Sequence, residues 1–183
     1  MNANQNLRNL YATRAAVQSL WAATYLALAV KTPAFGAVML VLYPLWDVAS
    51  TIYDLRTNVG AASSTLSVQY ANVLIGLATA VALAVFGLRN EAYTVASFGA
   101  WALTAGVLQL AVGVRRRSQT GGQWAMILSG AQSTLAGGAF ILGGLGGKLH
   151  GKDLGGYAVF GAVYFLVAAA LLTRRLAKAP LAD

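Results

Sequence analysis

Long apolar runs alternate with short polar breaks along the whole chain. The runs lie near 15–31, 34–53, 68–88, 93–114, 123–145 and 155–173, and most charged residues fall between them. Each supplies about the 17 to 25 residues that a helix needs to cross roughly 30 Å of hydrocarbon. The pattern therefore predicts an all-α integral membrane fold of six transmembrane helices. The first run is the weakest, because it carries Gln18 and Thr24, but omitting it would strand Trp21 to Val30 in water. The expected organisation is a tail at 1–14, a single membrane domain over 15–175 and a second tail at 176–183.

Composition sharpens this reading. Of 183 residues, 58% are apolar and only 10% charged, with 20 glycines and no cysteine, against roughly 25% charged in an average soluble domain. The absence of cysteine excludes disulfides, thiol catalysis and cysteine metal ligation. Arg8 and Arg14 ahead of an apolar run also suggest a signal peptide. However, no small-x-small cleavage site leads into a soluble domain, so the first helix is kept.

A net charge of +8 could indicate nucleic acid, yet the basic residues are sorted by loop rather than gathered on one face. With both termini cytoplasmic, the inner segments hold Arg8, Arg14, Arg56, Arg115, Arg116, Arg117, Arg174, Arg175 and Lys178. The outer ones hold Lys31, Arg89, Lys148 and Lys152. This is the positive-inside bias, and it favours an even number of spans. Tyr11, Tyr53, Tyr70 and Trp124 on the inner side, with Tyr93 and Tyr157 on the outer, fit interfacial belts. The expected partners are the bilayer itself and anionic inner-leaflet lipids facing the "RRR" at 115–117, with no nucleic acid.

One local signal recurs. Phe35-Gly36-Ala37, Phe98-Gly99-Ala100 and Phe160-Gly161-Ala162 open the even-numbered helices at intervals of 63 and 62 residues. The chain thus reads as three parallel hairpins, about 15–53, 68–114 and 123–173, in a pseudo-threefold ring with both termini inside. Inverted repeats are not predicted. Gly99, Gly106 and Gly113 are seven apart in the fourth helix, as are Gly130, Gly137 and Gly144 in the fifth. Seven residues make nearly two turns, so each trio forms a small-residue seam and the two helices should pack closely. Self-association through a remaining face stays open. The glycines of "FILGGLGGKLHGKDLGG" read as the end of the fifth helix and the longest outer loop.

The candidate chemistry is a set of polar residues inside the spans. Asp47 lies six residues above the inner end of the second run, about 9 Å deep at 1.5 Å per residue. Tyr43, Asp47, Ser50, Thr51 and Asp54 share its helical face. Gln18, Asn72, Gln109 and Gln132 sit at similar depth in four other helices, and only the sixth lacks an amide or carboxyl. An ionised carboxylate there must be protonated, wetted or paired, with Arg14 and Arg56 as the nearest cations. The cluster is either a structural tie between helices, which the snorkelling depth favours, or a cytoplasm-facing polar cavity around Asp47. Pro44 reads as an ordinary membrane-helix kink.

Enzyme chemistry finds little support. His150, the one histidine, falls in the outer loop, and there is no HExxH, Walker loop or Ser/His/Asp set. The serines of "AASSTLS" read as a linker with capping residues, and no lysine lies deep enough for a Schiff base. No catalytic residue, metal or cofactor is expected.

The stretch "SFGAWALTAGVLQLAVGVRRRSQTGGQWAMILSGAQSTLAGGAF", residues 97–140, resembles the HdeD family of short-repeat membrane proteins. It shares the aromatic-glycine opening, the Gly106 to Gln109 spacing, the arginine cluster and the glycine-spaced helix that follows. "LYPLWDVASTIYDLR" is similar to the second helix of bacterial members. The resemblance implies a six-helix bacterial inner-membrane protein without catalytic residues, in a family whose namesake is linked to acid resistance. The expected function is structural or stress-related. The alternative is a small channel or transporter for protons, ions or a small solute.

Overall fold

The computed structural model describes residues 3–57, 63–118 and 123–178. The Gly-Gly turn at 121–122, the start of "AASSTLS" and the last five residues of the C-terminal tail lie outside them. The described residues form six long helices: α1 (Ala3–Ala27), α2 (Pro33–Thr57), α3 (Ser63–Phe86), α4 (Glu91–Arg116), α5 (Gln123–Leu145) and α6 (Asp153–Lys178). A single 3-10 turn at Ala29–Lys31 joins α1 to α2. Five of the six, α2 to α6, are long and apolar enough to cross a membrane. The chain is thus an all-helical, multi-pass membrane protein.

The helices outrun the apolar runs that predict them. α1 begins at Ala3 rather than near residue 15, so most of the expected N-terminal tail is helical, and α6 continues to Lys178. α2 extends to Thr57 and α3 starts at Ser63. A hydropathy run stops at its first polar residues, whereas the helix continues wherever apolar positions beyond them still pack inward, as Leu7 and Leu10 do. On α1, Leu7, Leu10, Tyr11, Gln18, Trp21 and Tyr25 are buried, at the three- and four-residue spacing of one helical face. Its exposed residues between 12 and 27 are alanine, threonine, serine and leucine, with no charge among them. Of its polar residues, Gln18 is buried and Arg14 reaches Asp47, while Asn4, Gln5, Asn6, Arg8 and Asn9 are half-buried.

Each helix packs against its neighbours in sequence, and α1 packs against α6, so the six close a circuit. The closest contacts are α4 on α5, α1 on α6 and α2 on α3. These cross the boundaries of the expected hairpins, whose own pairs meet less extensively. Nor do the three Phe-Gly signals share a setting. Phe98 is fully buried, while Phe35 and Phe160 are exposed. Gly36 backs onto the Ala29 carbonyl, Gly99 onto α5 and Gly161 onto the Gln18 amide.

Polarity is inverted relative to a soluble bundle. Leu135 and Leu142 are each 78% exposed, whereas Gln18 and Asp47 are 5% and 8% exposed. Two apolar clusters hold the interior at either end. One joins Leu7, Leu10 and Tyr11 to Phe165, Ala168 and Leu172; the other gathers Trp21, Tyr43, Phe98, Trp101 and Phe140.

The glycine seams meet face to face. A methyl group at Gly99 would stand 2.8 Å from the Gly137 carbonyl oxygen, and one at Gly130 would stand 2.8 Å from that of Gly106. Gly113 lies against Ile127 and Gly144 against Val95, completing an antiparallel register along the full length of both helices. Helices surrounded by lipid gain little by hiding apolar groups from each other, so this backbone approach supplies dispersion contacts instead. α5 then ends at Leu145, with Gly147 in the left-handed region at φ 67°.

Gly106→Ala places its methyl group 2.6 Å from the Thr134 nitrogen and forces α4 and α5 apart. The expected loss is about 1–3 kcal/mol, as for overpacked cores. Gly156→Ala, with nothing within 4 Å, should leave stability unchanged or slightly raised. Melting temperatures in detergent test the contrast; equal temperatures for both variants would remove the seam as the source of α4–α5 packing.

Candidate functional site

The circuit of helices encloses a cavity of about 130 Å³ to which all six contribute. Its lining comes mainly from the N-terminal halves of α1, α3, α5 and α6 and from the C-terminal halves of α2 and α4. Tyr43, Ser50, Thr51, Asp47 and Asp54 project into its wall from the buried face of α2. Their offsets of three, four and seven residues put them on one side of the helix.

Two ion pairs cross the cavity wall. Arg14 of α1 donates to Asp47 through its guanidinium, which also lies over the Phe165 ring with 4.2 Å between the guanidinium carbon and the ring centroid. Asn72 of α3 donates to the other Asp47 oxygen at 2.7 Å and to the Thr51 hydroxyl at 3.1 Å. Two turns away, Arg116 of α4 donates to Asp54 at 2.9 Å and Gln69 of α3 donates to the same oxygen. Each carboxylate thus has a guanidinium and an amide among its partners. An isolated charge in such a place would cost several kcal/mol, and both aspartates meet that cost with the same pair of partners.

The remaining wall is made of amides and hydroxyls. Gln109 donates to the Met126 carbonyl at 3.2 Å, bridging α4 and α5, and Gln123 donates to the Tyr11 hydroxyl at 3.4 Å. Tyr157 of α6 donates to Ser133 of α5 at 3.0 Å. Beyond them the cavity ends in a layer of aromatic rings. Tyr43 is its hub, with its ring centroid 4.7 Å from Trp21, 5.5 Å from Trp101, 5.6 Å from Phe98 and 6.3 Å from Tyr157. Trp21 also donates to the Met39 carbonyl at 2.8 Å, holding α1 to α2 at this level.

The structure brings Asp47, Tyr43, Gln18, Asn72 and Gln109 to one cavity and leaves Gln132 out of its lining. At about 100° of rotation per residue, Gln132 is turned away from Ser133, and α5 presents Gln123, Ser129 and Ser133 instead. Of the two cations expected beside Asp47, Arg14 is there and Arg56 is exposed. Sequence reasoning missed the second pair, because Arg116 was counted with the loop arginines. A signal did exist: Gly106, Gln109, Gly113 and Arg116 follow one stripe of α4, and all four line the cavity. α6, expected to lack an amide or carboxyl, supplies the hydroxyl of Tyr157, which lines the cavity instead of the expected outer interfacial belt.

At the opposite end, the loop after α5 is pinned by Glu91. Its carboxylate accepts from the Gly151 amide at 3.0 Å and stands 3.3 Å from the His150 ring, while Tyr25 donates to the Gly151 carbonyl at 2.9 Å. His150 is half exposed there, beside the exposed Lys152.

Fold and cavity together define a class: a multi-pass helical membrane protein with an ion-paired polar interior, closed at one level by aromatic rings. No family model, no curated protein and no solved structure matches the chain.

Removing one partner of a buried pair strands the other. Asp54→Ala should cost about 3 kcal/mol, and the double variant Asp54→Leu with Arg116→Met should recover at least half of that. Arg56→Ala should be silent. Denaturation in detergent measures all three; strictly additive losses at 54 and 116 would mean that the pair contributes no coupling.

Proposed function

We propose that the protein is a six-span, non-catalytic, HdeD-like protein of the bacterial inner membrane, and that it acts as a small channel or transporter whose cavity opens toward the cytoplasm. The observation that carries this reading is the convergence of polar side chains from all six helices on one cavity. Helix association alone would be met by seams of the α4–α5 kind, and buried polar groups in a membrane interior are costly enough to mark solute or ion pathways. The uncharged outer face of α1 supports counting it as the sixth span, and an even count agrees with the positive-inside distribution. Arg117, Arg174, Arg175 and Lys178 are exposed at the cavity end, where anionic headgroups would meet them. Close and loose contacts alternate around the circuit with a period of two helices, which favours three parallel repeats.

A second reading is favoured by a specific observation. Both carboxylates are fully engaged, and through them α2 is tied to α1, α3 and α4. That is the arrangement of a scaffold, and it supports a structural or stress-response role of the HdeD kind.

Reconstituted liposomes separate the two. The transport reading expects protons, monovalent cations or small neutral solutes to cross faster than in protein-free vesicles, with Asp47→Asn changing the rate tenfold or more. Absence of flux for every class, with the variant merely less stable, replaces it by the scaffold.

A further inference from the structure

The charges lining the cavity cancel. Arg14 and Arg116 face Asp47 and Asp54, and among the described residues no other charged side chain belongs to the lining. An ion arriving there gives up its hydration shell to a wall of zero net charge, whose carboxylates already hold a guanidinium and an amide apiece. Compensating it by opening either pair would strand the opposite charge in the interior. Nothing in this wall repays the desolvation of an ion.

The wall does offer unused hydrogen bonds of both kinds. Among the described residues, Arg14 Nε, Trp101 Nε1, Gln18 Oε1 and Ser50 Oγ are buried side-chain atoms without a hydrogen-bond partner, and all four residues line the cavity. Gln18, Ser50 and Trp101 are only 5%, 3% and 4% exposed. The two nitrogens donate, the amide oxygen accepts, and the hydroxyl does either. Buried polar atoms left unpaired are rare because each one costs the desolvation of its group, so this set fits an occupant bearing donors and acceptors together.

Shape and size narrow the occupant further. A methyl group at Gly161 would stand 2.8 Å from Gln18 Oε1 and 3.5 Å from the Tyr43 hydroxyl, so glycine leaves the space before that oxygen clear. The rings of Tyr43, Trp101 and Tyr157 provide flat apolar surface for C–H groups. The volume of about 130 Å³ equals roughly four water molecules at about 30 Å³ each, which is room for a compound of a few heavy atoms.

We propose that the cavity binds a small neutral solute carrying both hydrogen-bond donors and acceptors, the chemistry shared by short polyols and urea, and that it rejects monovalent ions. This rests on the solute-path reading and narrows its substrate class. The test uses the full chain in nanodiscs with ¹⁵N-labelled tryptophan and follows the Trp101 indole N–H, assigned by its loss in Trp101→Phe. Glycerol or urea should shift that resonance saturably, while sodium and guanidinium chlorides at equal concentration should not. Ser50→Ala and Gln18→Met should each weaken the response about fivefold, the worth of one hydrogen bond, with the melting temperature reporting that each variant is folded. A saturable response to the ions and none to the neutral probes overturns the inference and leaves the solute path standing. Neutral binding without flux in liposomes keeps the inference and removes the path. No saturable response to glycerol or urea from intact wild-type protein overturns it, with water as the sole partner of those four atoms.

Discussion

Asp47 and Asp54 stand two turns apart on the inner face of α2, and the need to neutralise them organises much of the bundle. A carboxylate held away from water requires a cation and hydrogen-bond donors close by. Arg14 provides the first cation only because α1 begins at Ala3 and lies along α6, where Phe165 supports the guanidinium. Arg116 provides the second only because α4 remains helical through its last turn. Asn72 and Gln69, three residues apart on α3, fix that helix's register by meeting one aspartate each. Three helices are thus positioned by α2.

The other two are placed by contacts of a different kind. α5 joins α4 through paired glycines, an attraction that depends on close backbone approach and does not require exclusion of water. α6 is held by α1 through apolar packing of Leu7, Leu10 and Tyr11 against Phe165, Ala168 and Leu172. Polar ties therefore dominate between α2 and its neighbours, and small-residue packing dominates between α4 and α5, where Gly106 and Gly113 also line the cavity. This division explains why the seam contains no ionisable residue and why α2, with its two aspartates, carries a single glycine, Gly36, near its start.

Much of this was legible in the sequence, for reasons that can be named. Five apolar runs announce their helices because lipid-facing positions dominate the average, and the seven-residue glycine spacing announces the α4–α5 contact. The shared face of Tyr43, Asp47, Ser50, Thr51 and Asp54 follows from helix geometry alone. What escaped lies where polar residues end an apolar run before the helix itself ends. The first turns of α1 read as a tail because Asn4, Gln5, Asn6, Arg8 and Asn9 cluster there, although the spacing of Leu7, Leu10 and Tyr11 marks an inner stripe. Arg116 escaped because its neighbours Arg115 and Arg117 are exposed, and a run of three arginines reads as one loop feature when only the middle one turns inward. The Phe-Gly signal carries less than its spacing suggests: identical letters at regular intervals occupy three different environments, since a short motif of common membrane residues does not specify what packs on it.

The arrangement along α2 also determines where the cavity stops. Tyr43 and Asp47 are one turn apart on the same face, so the hub of the aromatic layer and the centre of the ion-paired region are carried by one helix. Between them lies Pro44, which has no N–H to donate to the Leu40 carbonyl and so interrupts the hydrogen bonding of the helix at that point. C-terminal to the proline, α2 is pinned by both aspartates to three neighbours. N-terminal to it, α2 is held by ring contacts and by the Trp21 bond to the Met39 carbonyl. Tyr43 stands where the cavity ends, and the hydrogen bonding of the helix is interrupted at the residue beside it. The two halves of α2 are thus held by different interactions, ion pairs C-terminal to the proline and ring contacts N-terminal to it, and the break in backbone hydrogen bonding falls at the boundary between them.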